Sequence, residues 1–297
     1  MRTHSAGRTI IQIYVALFLF FMLAPLIVMG GAALNDTRFP SVYPWVGLTD
    51  RWFIDLWNDP RMWTSITNTV LVAFSVVVIS VPIGTASAIL INSLQSRARS
   101  FLYGVMVAPI LTPGAVIGIS TLLFWNHLGT PFGLQEEFPF KAGLHLSALG
   151  QVSFIAAYAM LLVLARLQSF DPGLEEAALD LGATHAQVMR RILLPHLYPA
   201  IGASALIAFF QSVENFNITL FTRGSSDTLT VYVGSKVRTG ITPTINALAL
   251  CLITLTVIGA IAYEITRRRA AAREAADAIA LEKAEAAESE ALQTASA

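Results

Sequence analysis

"EEAALDLGATHAQVMRRILLP" runs from Glu175 to Pro195 and is the most polar well-patterned stretch of a largely apolar chain. Asp171-Pro172 precede it, and aspartate followed by proline suits a helix start, because the carboxylate accepts from free N–H groups and proline needs no N–H at the first helical position. Glu175 and Glu176 then fall near the positive end of the helix dipole. Ala177, Ala178, Leu179 and Leu181 propagate the helix, and Gly182 can adopt the left-handed conformation that ends it. Thr184 and Gln187 have capping-box spacing for a second helix. That helix puts Val188 and Ile192 on one face, and Pro195 is expected to stop it. The segment 171–195 therefore reads as a capped helical hairpin set between two greasy segments. The paired alanines leave a smooth face that suits either close approach by another protein or a connector lying on the membrane.

The rest of the chain supplies the membrane. Of 297 residues, 55% are hydrophobic and only 13% charged, against about 25% charged in soluble domains. Mean hydropathy is +0.63. A span needs about 20 mainly apolar residues, and six candidates appear: 10–34, 64–94, 101–125, 147–167, 197–221 and 245–266. The class is all-α and polytopic. The first apolar run is too long for the roughly 7–15-residue core of a cleaved signal, so it reads as a retained first span after a short 1–9 terminus. Net charge is zero, which gives no sign of nucleic-acid binding. The single Cys251 rules out a disulfide within the chain.

Orientation follows the distribution of lysine and arginine. With the N-terminus inside, inner segments carry Arg2, Arg8, Arg97, Arg99, Arg166, Arg190, Arg191, Arg267, Arg268, Arg269, Arg273 and Lys283. Outer segments carry Arg38, Arg51, Arg61, Lys141, Arg223, Lys236 and Arg238, a split of 12 to 7. Both termini and the 171–195 hairpin are thus expected on the cytoplasmic side. Outside, Trp45, Trp52, Trp57 and Trp63 suggest an interfacial belt with a lateral element. Glu136 and Glu137 sit in a second outer loop that reads as solvated. The Ala/Glu-rich 270–297 tail fits a frayed helix or a disordered segment equally. Asn68 and Asn246 read as helix caps or interfacial residues.

One carboxylate falls inside a span. In "FFQSVENFNITLF", Phe209–Phe221, Glu214 lies about seven residues, or about 10 Å, from the outer end. An acid at a helix centre costs about 2.5–3.5 kcal/mol on insertion scales. At about 100° per residue, Gln211, Glu214 and Asn215 share one arc with Ile218, and Asn217 falls on its edge. Such a stripe faces either a translocation pathway, where Glu214 attracts an ammonium group, or a neighbouring helix that it fixes by hydrogen bonding. Phe210 and Phe216 could offer cation–π faces from outside the arc. Enzymatic signatures are missing: there is no P-loop, HExxH, paired cysteine or G-x-S-x-G, and the five histidines are scattered.

The hairpin resembles the EAA motif of ABC-importer permeases. Glu176-Ala177-Ala178, Gly182 and Ile192-Leu193-Leu194-Pro195 stand at the family's spacing, in the loop before the penultimate span. The resemblance covers roughly 10–269 and implies the six-helix fold of type I permeases. It implies that Glu176, Ala177, Ala178, Gly182, Ile192, Leu194 and Pro195 belong to a coupling helix seated on an ATP-binding subunit. It also implies that the fifth helix lines the pathway. Two ATP-binding subunits carrying ATP and Mg2+, a second permease, identical or different, and a periplasmic or extracellular substrate-binding protein complete such a machine. No cofactor is expected on this chain. "SVENFNITLFTRG" (212–224), "TLTVYVGSKVRTGITPTINALA" (228–249) and "VAPILTPGAVIGIS" (107–120) are most similar to polyamine permeases. The expected solute is a polyamine or related cation. The same machine for a phosphonate, an opine-like amine or iron(III), or an ATP-independent secondary transporter, is the alternative.

Overall fold

The computed structural model describes the backbone of residues 3–94, 96–240 and 242–295, and side chains chiefly between 7 and 269. The described residues form helices joined by turns, apart from one isolated antiparallel bridge between Asn35 and Leu48. The 273–297 side chains lie outside the described residues, as does Arg2, while the tail backbone is helical to residue 295.

By contact the chain divides into two units, Met1–Leu56 with Ile241–Ala297, and Trp57–Gly240. In the first, α1 (Thr3–Leu34) packs along α12 (Pro243–Ala295). Gly30 faces Leu250, and a Cβ there would meet the Leu250 side chain at ordinary contact distance. After α1, fully buried Asn35 organises a tight loop. Its Nδ2 donates to the carbonyls of Ser41 (2.9 Å) and Pro44 (3.0 Å), and its Oδ1 accepts from Val46 N–H (2.8 Å). Trp52, on the short helix α2 (Arg51–Trp57), donates its indole N–H to the Asn35 carbonyl at 3.0 Å. Trp52 is therefore buried and structural rather than a belt anchor; Trp45 and Trp57 are exposed as expected of one.

The second unit is built on α3 (Pro60–Ser93), α6 (Leu144–Leu167) and α9 (Leu194–Val213). Asp59 caps α3, its Oδ1 accepting from the N–H of Arg61 (2.9 Å) and Met62 (3.3 Å), with Pro60 at the first position. Lipid is as apolar as leucine, so membrane helices associate through close packing of small residues rather than through water exclusion. The α3–α6 contact follows this rule. Gly84 presses so near α6 that a Cβ would stand 2.6 Å from the Ala156 carbonyl oxygen and the Ala159 Cβ. Val72, Val76, Ala148, Val152, Ile155 and Ala208 fill the middle of the bundle. Ala88, Ile91, Met160, Val163, Leu193 and Leu197 fill one end. Asn68, inside α3, is not a cap: its Nδ2 donates to the Asp227 carbonyl at 2.8 Å.

Two expected spans are broken. Residues 101–125 do not form one helix: α4 (Ser96–Leu111) and α5 (Gly114–Gly129) meet at a 105° bend. Pro113 lacks the N–H a continuing helix would use, and its ring drives Thr112 out of the helical region. The segment 197–221 is interrupted as well. The helix α9 ends at Val213, and α10 (Asn217–Thr222) follows after three residues. Asparagine side chains compete with the backbone ladder, and Asn215 does so here: its Oδ1 accepts from Ile218 N–H at 3.1 Å and starts α10. Among the described residues, five helices are long and apolar enough to cross a membrane, or six if the bent pair counts as one span.

Candidate functional site: a cavity between two helix breaks, and a capped hairpin

The two breaks meet. Gly118 of α5 lies against α10 so closely that a Cβ would be 3.0 Å from the Ile218 Cα and carbonyl oxygen. Gly114, at the start of α5, faces Asn217. Between the breaks opens a cavity of about 290 Å3, lined by Thr112 and Ile117 from the first, Gln211 to Ile218 from the second except Ser212 and Val213, and Phe154 and Tyr158 from α6. Gln211, Glu214 and Asn215 thus share a cavity, but not by the arc of an unbroken helix. Glu214 stands one residue beyond α9, and Asn215 is held by its own cap bond. Phe216, set outside the arc by periodicity, lines the cavity because the break turns the chain; Phe210 does not line it and is exposed. Among the described residues the Glu214 carboxylate makes no hydrogen bond and no ion pair, unlike a side chain that fixes packing.

Tyr158, Phe154, Thr112 and Asn217 join the cavity without having been expected there. Pro113-Gly114, a turn dipeptide inside an apolar run, was the signal for the first break. A larger groove of about 540 Å3 shares Pro109, Thr112 and Ile117 with this cavity, but its lining holds no ionisable side chain. Charge therefore singles out the smaller cavity. Among the described residues no cluster of His, Cys, Asp or Glu could hold a metal.

The segment after α10 is clamped to the start of α3. Asp227 is buried and accepts from Arg61 Nε at 2.8 Å and from Arg223. Thr69 Oγ1 accepts the Leu229 N–H at 2.8 Å. On α11 (Leu229–Thr239), Tyr232 donates its hydroxyl to Asp59 Oδ2 at 2.8 Å, and Lys236 Nζ lies 3.3 Å from the same oxygen. Burial pushes the Asp59 carboxyl up, but the hydrogen bonds from Tyr232, Lys236 and Met62 N–H and the Lys236 charge together hold it below the carboxylate range. Burial, then the bond to Asp59 and its charge, pushes the Tyr232 phenol well above its ordinary value.

At the other end of the bundle stands the hairpin. Asp171 Oδ1 accepts the Gly173 N–H at 2.9 Å, at the first residue of α7 (Gly173–Asp180). Gly182 has φ +84°, its N–H donates to the Leu179 carbonyl (2.9 Å), and Ala183 N–H donates to the Ala178 carbonyl (3.0 Å). These two bonds are a Schellman stop. Thr184 and Gln187 form the capping box of α8 (His185–Val188), with Gln187 Oε1 accepting the Thr184 N–H at 2.7 Å. Glu176, Ala177, Gly182 and Pro195 are exposed, while Ala178, Ile192 and Leu194 are half-buried. Leu193 rather than Ile192 enters the core. Pro195 does not stop the second helix. A π-turn over Met189–Leu193 carries it into α9, the Leu194 N–H reaching back to the Met189 carbonyl. The wider turn makes room for the Pro195 ring against the preceding turn.

Residues 80–272 match the model of the family described as "Binding-protein-dependent transport system inner membrane component". The chain belongs to this family. It is 32% identical over 251 residues to the putrescine transport system permease protein PotI of Escherichia coli (strain K12), covering 84% of this chain and 87% of the relative. It is 26% identical to the spermidine/putrescine transport system permease protein PotC of the same strain, over 84% of this chain and 90% of the relative. Among solved structures, the crystal structure of a bacterial ABC transporter involved in the import of the acidic polysaccharide alginate matches with a TM-score of 0.71 at 20% identity, over 90% of this chain and 96% of that one. The fold of this permease is therefore that of type I ABC importers, and the chain is an inner-membrane permease subunit of a binding-protein-dependent importer.

Proposed function

We propose that this permease carries a polyamine or a closely related small organic cation into the cytoplasm. The observation that carries the reading is Glu214: an unpaired carboxylate on a cavity between two helix breaks, beside Tyr158 and Phe216, whose faces can hold an ammonium group. The names of the similar permeases from Escherichia coli support the same solute class.

In this account both termini and the hairpin are cytoplasmic. Two ATP-binding subunits, which hold ATP and Mg2+, engage the hairpins of this chain and a second permease. Glu176, Ala177, Ala178, Gly182, Ile192, Leu194 and Pro195 form the seat on this chain. An external binding protein delivers solute to the opposite face. Closure of the ATP-binding subunits pushes on the hairpin. The continuous run from α8 through the π-turn into α9 supports this coupling, because it leads from the seat to Glu214 at the cavity. The test is competition in vesicles holding the complete importer and its binding protein. Unlabelled spermidine should suppress labelled putrescine uptake, and 1,4-butanediol, of the same length without charge, should not. Equal competition by the diol would contradict the solute assignment.

A further inference from the structure

Gln151 lies in the N-terminal third of α6, fully buried. Both ends of its amide are used, and both reach across the break in the fifth span. Its Oε1 accepts from Ser212 Oγ at 2.6 Å, on the last turn of α9. Its Nε2 donates to Thr219 Oγ1 at 2.9 Å, on the first turn of α10. The residues enclosed between these anchors include Glu214, Asn215 and Phe216, which line the cavity.

The distances decide what this bridge selects. In a straight helix residues 212 and 219 would stand about 10.5 Å apart along the axis. The nitrogen and oxygen of one planar amide are about 2.3 Å apart, so with the two observed hydrogen bonds the hydroxyl oxygens are held within about 8 Å of each other. One glutamine therefore fits the broken chain better than a continuous helix. A buried amide left unpaired costs more than its bonds contribute when made, so straightening the span would strand both of its ends. The second pair across the same interface, Thr222 Oγ1 donating to Ser147 Oγ at 2.9 Å, holds the far end of α10 to α6 but does not cross the break.

We propose that Gln151 is a positioning residue for transport: it holds the fifth span broken, and through the break it aims Glu214 and Asn215 into the cavity. This rests on the reading of that cavity as the cation pathway. The break itself is tested without transport. In the assembled importer, with Cys251→Ala, spin labels are placed at Leu206→Cys on α9 and Phe221→Cys on α10. A straight helix sets those positions about 22 Å apart along its axis, and the bridge, which holds the 212 and 219 hydroxyls closer than a straight helix would, predicts a shorter distance in the wild type. Gln151→Leu should lengthen the distance toward that value. The double variant Ser212→Ala, Thr219→Val removes the same bonds without touching α6 and should do likewise. In uptake, either variant should raise KM for putrescine on the order of tenfold with the maximal rate largely kept, and adding Ser212→Ala to Gln151→Leu should add little.

An unchanged label distance in both variants overturns the proposal, whatever happens to uptake, because a role in stability alone lowers the yield of importer and leaves the geometry of what assembles intact. A lengthened distance with unchanged uptake overturns the transport part and, with an unaffected Glu214→Gln, the pathway reading itself. Lost uptake in Glu214→Gln with label distances unmoved in both bridge variants leaves the pathway standing and removes Gln151 from it.

Discussion

Gly182 carries the hairpin's turn on its own backbone. At φ +84° a β-carbon meets no neighbour within 4 Å, so a substitution there is resisted by conformation and not by crowding. Asparagine, which tolerates the left-handed region, should keep most coupled transport. Valine, whose branched carbon makes that region cost about 1–2 kcal/mol, should tilt α8 and uncouple ATP hydrolysis from uptake with the spans still inserted. Glu176→Lys should release the ATP-binding subunit or uncouple it by reversing an exposed charge on the proposed seat, read as loss of co-purification. Asp59 and Tyr232 give a pH prediction. The Asp59 carboxyl is held below its ordinary 3.8, so its contribution is present above that pH and fades as pH falls further. The Tyr232 phenol is raised above its ordinary 10.0, so its contribution is present below pH 10.0 and fades as pH rises. Proteolysis near α11 should accordingly increase at both extremes and stay flat between; a change centred near neutrality would contradict the pairing.

At the scale of elements, what could be read from the sequence was whatever its own neighbours decide. The Asp171 bond at the start of α7, the Gly182 stop and the Thr184–Gln187 box are local chemistry, and each stands at the expected position. The breaks were hidden because they combine a local cause with a distant partner. Pro113 was visible but lay in a run apolar enough to pass for one span, and Asn215 looked like one member of a polar arc rather than a cap. Gln151 gave no signal, since its meaning lies in residues more than sixty positions away. Pro195 misled in the opposite direction, because a π-turn can absorb a proline that a regular helix cannot. Close approach is the other element-level feature that sequence does not announce. Gly84→Val should destabilise the α3–α6 contact by about 1–3 kcal/mol through overpacking, seen as a lower unfolding midpoint of the purified importer, whereas Gly104→Ala, where a β-carbon meets nothing, should be neutral.

For the molecule as a whole, the composition, the apolar runs and the hairpin motif were enough to reach an importer permease, which the family match and the fold similarity then establish. The capped hairpin lies at one end of a helical run and the cavity at the other, so one element joins the proposed seat of the ATP-binding subunit to the proposed cation site. In the proposed mechanism Glu214 receives the cation. The most direct measurement is ATP-driven accumulation of labelled putrescine in vesicles holding the complete importer, comparing wild type with Glu214→Gln and following ATP hydrolysis in the same vesicles. Glu214→Gln should cut accumulation by at least tenfold, on the order of the 1.4 kcal/mol or more that a lost charge contact is worth, while the importer assembles and still hydrolyses ATP. Accumulation with unchanged KM and maximal rate in Glu214→Gln would contradict this mechanism.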